Sequence, residues 1–105
     1  MSRYALTRLA KTNLFEIWSH IADDSEDAAN RVEQAIYDAC AFVAVSPLRG
    51  HIRGDLTARL LRFWTLTKYP NYTVVYRPDI VPVQIVAFCT GRGIFDRLLK
   101  PRVGR

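Results

Sequence analysis

No uninterrupted apolar run in this sequence is longer than Ala39–Val45, far short of the roughly 20 residues that a membrane-spanning helix needs. None follows the opening Met1-Ser2-Arg3-Tyr4 either, so no secretory signal and no membrane association are expected, and a cytoplasmic location is. Cysteine is scarce: Cys40 and Cys89 stand far apart and form no CxxC pair. They read as small buried thiols rather than as a staple or a metal site. Histidine is equally rare, with His20 and His51 isolated. There is no P-loop, GxGxxG, HExxH or GxSxG, which removes the usual phosphate-cradling, zinc-hydrolase and serine-hydrolase arrangements. No cofactor and no metal are expected. At 105 residues the chain is too short for a barrel enzyme or a doubly wound dinucleotide fold. At 50% hydrophobic residues it is too apolar for a disordered tail. One domain spanning residues 1–105 is the expectation.

Charge is present, and it is unevenly spread. The formal net charge is +5, yet residues 1–46 carry four cations against seven carboxylates, and residues 47–105 carry eleven against three. Arginine supplies twelve of the fifteen cations, and its guanidinium forks onto carboxylates or phosphates where lysine acts as a solvated point charge. The C-terminal half therefore suits an anionic partner, either nucleic acid or an acidic protein segment. Charge alone does not separate the two, and a merely soluble basic surface fits as well.

Hydrophobic spacing organises the chain. Tyr4-Ala5-Leu6-Thr7 reads as a short strand. Leu14, Ile17, Trp18 and Ile21 recur at helical spacing and predict an amphipathic helix of about four turns ending near Asp23-Asp24. Ser25 is placed to cap a second helix, with Glu26 and Asp27 complementing its dipole. That helix carries an apolar stripe of Ala29, Val32, Ile36, Ala39 and Val43, and Ser46-Pro47 ends it. The short link makes the two helices an antiparallel hairpin. Leu48 to Asp55 reads as a Gly- and Arg-rich loop. Three strand-like runs follow, Leu60–Tyr69, Tyr72–Arg77 and Val83–Cys89, joined by turns at Pro70-Asn71 and Pro78–Pro82. A terminal helical turn or two is expected over Ile94–Lys100. The predicted fold is α+β, a helix hairpin packed on one face of a mainly antiparallel sheet of about four strands. The other face is expected to lie open or to be covered only by the tail.

Candidate sites follow from the charge. Arg49, Arg53, Arg62, Lys68, Arg92, Arg97, Lys100, Arg102 and Arg105 are placed to converge on one side of the sheet. Trp64, Tyr69, Tyr72 and Tyr76 are interleaved with them, to stack on bases or simply to pack across strands. Arg92 between Gly91 and Gly93 is the sharpest single case; either it binds a partner or it pairs with a carboxylate such as Asp96. His20 sits at the edge of the first helix's polar face, His51 lies in the basic loop, and neither has a nucleophile or carboxylate at a telling distance.

Taken in order, Tyr4-Ala5-Leu6-Thr7, Ala10, Leu14-Phe15-Glu16-Ile17-Trp18, Asp27-Ala28-Ala29-Asn30-Arg31, Pro47-Leu48-Arg49-Gly50, Asp55-Leu56, Arg62-Phe63, Tyr69, Tyr72, Val75-Tyr76-Arg77 and Gly91-Arg92-Gly93 form a specific set, although no member of it is specific alone. The chain resembles the RelE/ParE superfamily of toxins from bacterial toxin–antitoxin pairs, and within it the ParE branch, over about residues 3 to 99. It departs from that branch at Arg92-Gly93, where ParE sequences commonly read Arg-Asp.

The resemblance implies a toxin of a type II, plasmid-stabilisation module. RelE-like members cut mRNA on the ribosome with basic sheet residues and a tyrosine or similar group in the C-terminal helix. The matching positions here are Trp64, Leu66, Thr73 and Leu98, and Arg92 alone keeps the nuclease character. ParE members are described as blocking DNA gyrase, so the resemblance implies a non-enzymatic gyrase inhibitor with no catalytic residue. It also implies neutralisation by a cognate antitoxin whose acidic or amphipathic C-terminal segment wraps the toxin in a hetero-oligomer. Target contacts are expected at Arg92, Arg97, Lys100 and Arg102, and antitoxin contacts at Leu14, Trp18, Arg49, Arg53, Leu61 and Phe63. A ribosome-dependent endoribonuclease with a reduced site and a non-toxic basic nucleic-acid-binding module are the alternatives.

Overall fold

The structure is a computed structural model, and the residues it describes are 4–52 and 61–90. Strand β1 spans Tyr4–Leu6, helix α1 Arg8–Ala22 and helix α2 Glu26–Val45. A 3-10 turn at Pro47–Arg49 leads to β2 (His51–Ile52), followed by β3 (Arg62–Thr65), β4 (Tyr72–Arg77) and β5 (Val83–Thr90). The sheet runs in the order β1-β5-β4-β3-β2. β1 lies parallel to β5, pairing Tyr4 with Val83 and Leu6 with Ile85, and the other pairs are antiparallel. The described sheet thus has five strands rather than about four. The extra one, β2, is two residues long inside the segment expected to be loop, where no alternation marks it. Strand β3 occupies only part of the run Leu60–Tyr69, because Leu66 N–H donates to Tyr72 O and Tyr72 N–H to Tyr69 O (both 3.0 Å), closing the turn into β4.

The helix ends follow side-chain chemistry. Ser25 Oγ accepts from Ala28 N–H at 3.1 Å, and Glu26 and Asp27 occupy the first turn of α2. α1 has no acidic residue in its first turn, and Thr7 caps it by accepting from Ala10 N–H at 3.0 Å. The same Thr7 hydroxyl donates to Val86 O at 2.7 Å. α1 therefore begins on β5, continuing the contact that β1 started.

The helix hairpin packs on one face. Ala10, Leu14, Ile17, Val32, Ile36, Ala39, Cys40 and Val43 meet Leu66, Val74, Tyr76, Val83, Ile85 and Phe88 in one cluster. Burying each large side chain of this set contributes about 1.5–3 kcal/mol. The opposite face does not lie open, because Leu61, Phe63, Val75, Ala87 and Cys89 form a second buried cluster there; the tail, the other expected cover, lies outside the described residues. A bulge sets this up: Val75 pairs with Ala87 but Tyr76 with Ile85, so Val86 is inserted and β5 changes phase. Ile85 and Phe88 consequently both reach the helices, although three residues apart in a strand would otherwise face opposite sides. The expected terminal helix over Ile94–Lys100 lies outside the described residues.

Both cysteines are free and buried, as expected. Among the described residues no helix is long and apolar enough to cross a membrane, and no three His, Cys, Asp or Glu side chains are grouped to hold a metal ion.

Candidate functional site

The C-terminal end of α2 builds the most conspicuous surface feature. Val45 is out of phase with the core stripe of its helix and 65% exposed, Leu48 in the following 3-10 turn is 71% exposed and Ile52 on β2 is 65% exposed. Phe42 joins them at the edge of burial, its ring 4.8 Å from that of Trp64 on β3. The Arg49 guanidinium also lies over Phe42, 5.8 Å from the ring centroid. The result is an apolar corner with a cation stacked on it. Isolated exposed leucines need no explanation, but four exposed apolar side chains within residues 42–52, one of them under a stacked arginine, have the composition of an interaction surface.

Three buried or half-buried groups hold this corner. The Tyr76 hydroxyl accepts from Gly50 N–H at 2.9 Å and donates to Pro47 O at 2.7 Å. Arg62 Nη1 donates to Gly50 O at 2.8 Å and to Leu48 O at 3.3 Å. Burial pushes the Tyr76 phenol above its ordinary pKa, while the Gly50 hydrogen bond and the Arg62 charge pull the other way. The phenol stays protonated and keeps both bonds at neutral pH. Gly50 is required by the close approach, since a Cβ there would overlap the Tyr76 hydroxyl.

Several expected site residues are placed by these contacts. Tyr76 is wholly buried and does not face a ligand, Trp64 packs on Phe42, and Tyr69 and Tyr72 pack against the core cluster. Arg62 is committed to carbonyls of the corner, and Lys68 is exposed in the β3–β4 link. Leu14 belongs to the helix-side core, and Leu61 and Phe63 to the second cluster, so their side chains offer little further area to a partner. Trp18 is half-buried in the hairpin, its Nε1 donating to Asn30 Oδ1 at 2.9 Å. Arg49 is exposed. Fifteen residues of α2 separate Asn30 from Val45, about 22 Å at 1.5 Å per residue, so Trp18 and Arg49 mark opposite ends of the helix. His51 is exposed on β2. Arg53, Arg92, Arg97, Lys100 and Arg102 lie outside the described residues.

Phe42, Val45, Leu48 and Ile52 have no site role in the sequence reading. Val45, apolar and out of phase with Ala39 and Val43, was the one available signal.

The family model for the ParE toxin of type II toxin-antitoxin system, parDE, matches residues 4–94. A solved structure described as the chromosomal ParDE TA system from P. aeruginosa contains a chain that superposes with a TM-score of 0.59 at 20% identity, covering 86% of this chain and 99% of that one. That likeness is one of fold. No curated relative matches.

Proposed function

This chain belongs to the ParE toxin family of type II toxin–antitoxin systems, and on that premise we propose that it acts by binding DNA gyrase without breaking a bond. The family match over residues 4–94 is the observation that carries this reading. The meander positions that a nuclease member would fill with cationic or proton-transferring groups support it. Trp64 is packed on Phe42, Leu66 is buried, and Thr73 is buried with its hydroxyl 3.1 Å from that of Thr65. None of the three is able to stabilise a phosphorane or activate a 2′-hydroxyl. The target contacts are assigned to the cationic C-terminal sequence, Arg92, Arg97, Lys100 and Arg102.

The antitoxin docks an acidic, amphipathic segment on the corner made by Phe42, Val45, Leu48, Arg49 and Ile52. Charge complementarity favours this end of the molecule. Asp23, Asp24, Glu26 and Asp27 crowd the α1–α2 link near Trp18 and repel such a segment, whereas Arg49 and Arg62 stand at the corner without a carboxylate in residues 47–52 or 61–65. Apolar contacts supply the affinity and charge the association rate. To reach Trp18 as well, the segment must run the length of α2 and be neutral or basic where it passes these carboxylates, in a toxin–antitoxin hetero-oligomer.

Purified protein is expected to inhibit gyrase supercoiling at micromolar concentration, with inhibition relieved by stoichiometric cognate antitoxin. Unchanged supercoiling together with A-site cuts in a toeprinting assay on translating ribosomes would assign the ribonuclease function instead.

A further inference from the structure

A second site lies away from the corner, where α1 passes the far ends of β4 and β5. Asn13, Glu16, Ile17 and His20 line a cleft of about 260 Å³ there, facing Asn71, Tyr72, Phe88 and Thr90. The four α1 residues are spaced i, i+3, i+4 and i+7, which puts them in one stripe along the helix. The volume lies just below the range of small-molecule pockets, roughly 300–1,000 Å³, and suits a ligand of fragment size.

Asn13 is the informative residue. It is only 8% exposed, and its Oδ1 accepts from Phe88 N–H at 3.1 Å. An N–H can only donate, so the oxygen end of the amide must face Phe88 and the NH2 end must point elsewhere. That NH2 has no hydrogen-bond partner among the described residues. A buried donor left unpaired is costly, and Asn13 lines the cleft. One helical turn on, Glu16 supplies an exposed carboxylate that only accepts. A fixed donor therefore stands beside an acceptor, with the half-buried Tyr72 opposite.

We propose that this cleft binds a planar lactam edge, a carbonyl oxygen adjacent to N–H donors, as presented by the Watson–Crick edge of guanine. The carbonyl oxygen takes the Asn13 NH2, the ring N–H and exocyclic amine donate to Glu16, and the ring lies against Tyr72. Adenine presents the opposite order, setting an acceptor nitrogen against the carboxylate and a donor against the Asn13 donor. A site built this way rejects the mismatched base because its own polar groups are left unpaired. Free guanine nucleotide and a guanine in a single strand share this chemistry.

The test uses the full chain, titrated with GMP, IMP and AMP and followed by amide chemical shifts and calorimetry. The phosphate is common to all three, so binding driven by the basic surface cancels from the comparison. GMP is expected to bind at least tenfold more tightly than AMP, with IMP between them, and to shift Asn13, Glu16, His20 and Tyr72. Glu16→Gln, an exposed substitution, is expected to remove most of the preference while leaving the melting temperature unchanged. Asn13→Asp, which keeps the acceptor and deletes the donor, is expected to do the same if it folds. A single-stranded oligonucleotide containing guanine that outcompetes both GMP and its adenine-substituted counterpart identifies a strand as the source, and tighter GMP identifies the free nucleotide. Equal affinity for GMP and AMP, shifts confined to other residues, or perturbation by N-acetylglutaminamide but not GMP would overturn the proposal. None of these readouts depends on gyrase or antitoxin.

Discussion

The Tyr76 hydroxyl reaches across from the middle of the sheet to hold Gly50, accepting its N–H at 2.9 Å while donating to Pro47 O at 2.7 Å. One phenol thus fixes both ends of the 3-10 turn that carries Leu48 and Arg49. Tyr76→Phe keeps the packing and strips both bonds, leaving Gly50 N–H buried without its partner. The expected loss is about 1–3 kcal/mol of folding free energy, read by denaturant unfolding. Gly50→Ala is expected to destabilise comparably or more, because its Cβ meets the same hydroxyl. A Tyr76→Phe variant as stable as the parent would remove the hydroxyl from its structural role.

Thr7 caps α1 and bonds β5 with a single hydroxyl. Thr7→Val preserves shape and deletes both contacts. Caps of this kind are worth about 0.5–2 kcal/mol, and the additional Val86 bond places the expected loss at the upper end of that range. Thr7→Ser, which retains the hydroxyl, is expected to recover most of it in the same thermal melts.

Alkaline pH provides a test of the buried thiols. Burial pushes Cys40 and Cys89 from the ordinary 9.0 up to about 12, and Tyr76 shifts upward for the same reason. Above pH 9 the unfolded chain sheds thiol protons that the native chain keeps, so the native state loses its advantage as pH rises. Stability is intact below about pH 9 and falls on the way to pH 12, by at most about 1.4 kcal/mol per pH unit for each protected thiol. Cys40→Ala is expected to flatten part of that decline. At pH 8 both thiols should resist iodoacetamide until denaturant is added; alkylation at the rate of a free thiol would contradict their burial.

The corner can be charged without touching the core. Leu48→Glu and Arg49→Glu alter exposed side chains, so melting temperatures are expected to hold while affinity for the cognate antitoxin falls by roughly ten- to a hundredfold, in the range of contacts worth 1.4–2.8 kcal/mol. Arg49→Glu should also slow association at low salt and lose that effect at high salt. Unchanged affinity in both variants would move the antitoxin to another face.

What the residues disclosed in advance was local. Ser25 followed by Glu26-Asp27 announces a helix start, Ser46-Pro47 announces its end, and the β-branched run Tyr72–Arg77 coincides with β4 from end to end. Signals failed where a residue's partner is remote. Thr7 and Val86 are 79 positions apart, and Asn13 and Phe88 are 75 apart. Strand β2 exists only because β3 pairs with it, and two residues carry no periodicity. Arg62, by its charge a candidate for an outside partner, spends its guanidinium on the protein's own carbonyls. The exposed corner was hidden for a similar reason: Phe42 and Val45 are apolar, and in a sequence apolar means interior until the neighbouring turn is known.

The parallel pairing of β1 with β5 joins Tyr4 to Val83, so the first strand to leave the ribosome has no mate until the last described strand follows it. Closing so long a loop is slow compared with forming the helix hairpin. In chain order α1 and α2 both precede β5, the strand on which the sheet closes. Because the helix-hairpin contacts are local while the β1–β5 pairing is not, the sheet is the layer of this fold that closes last.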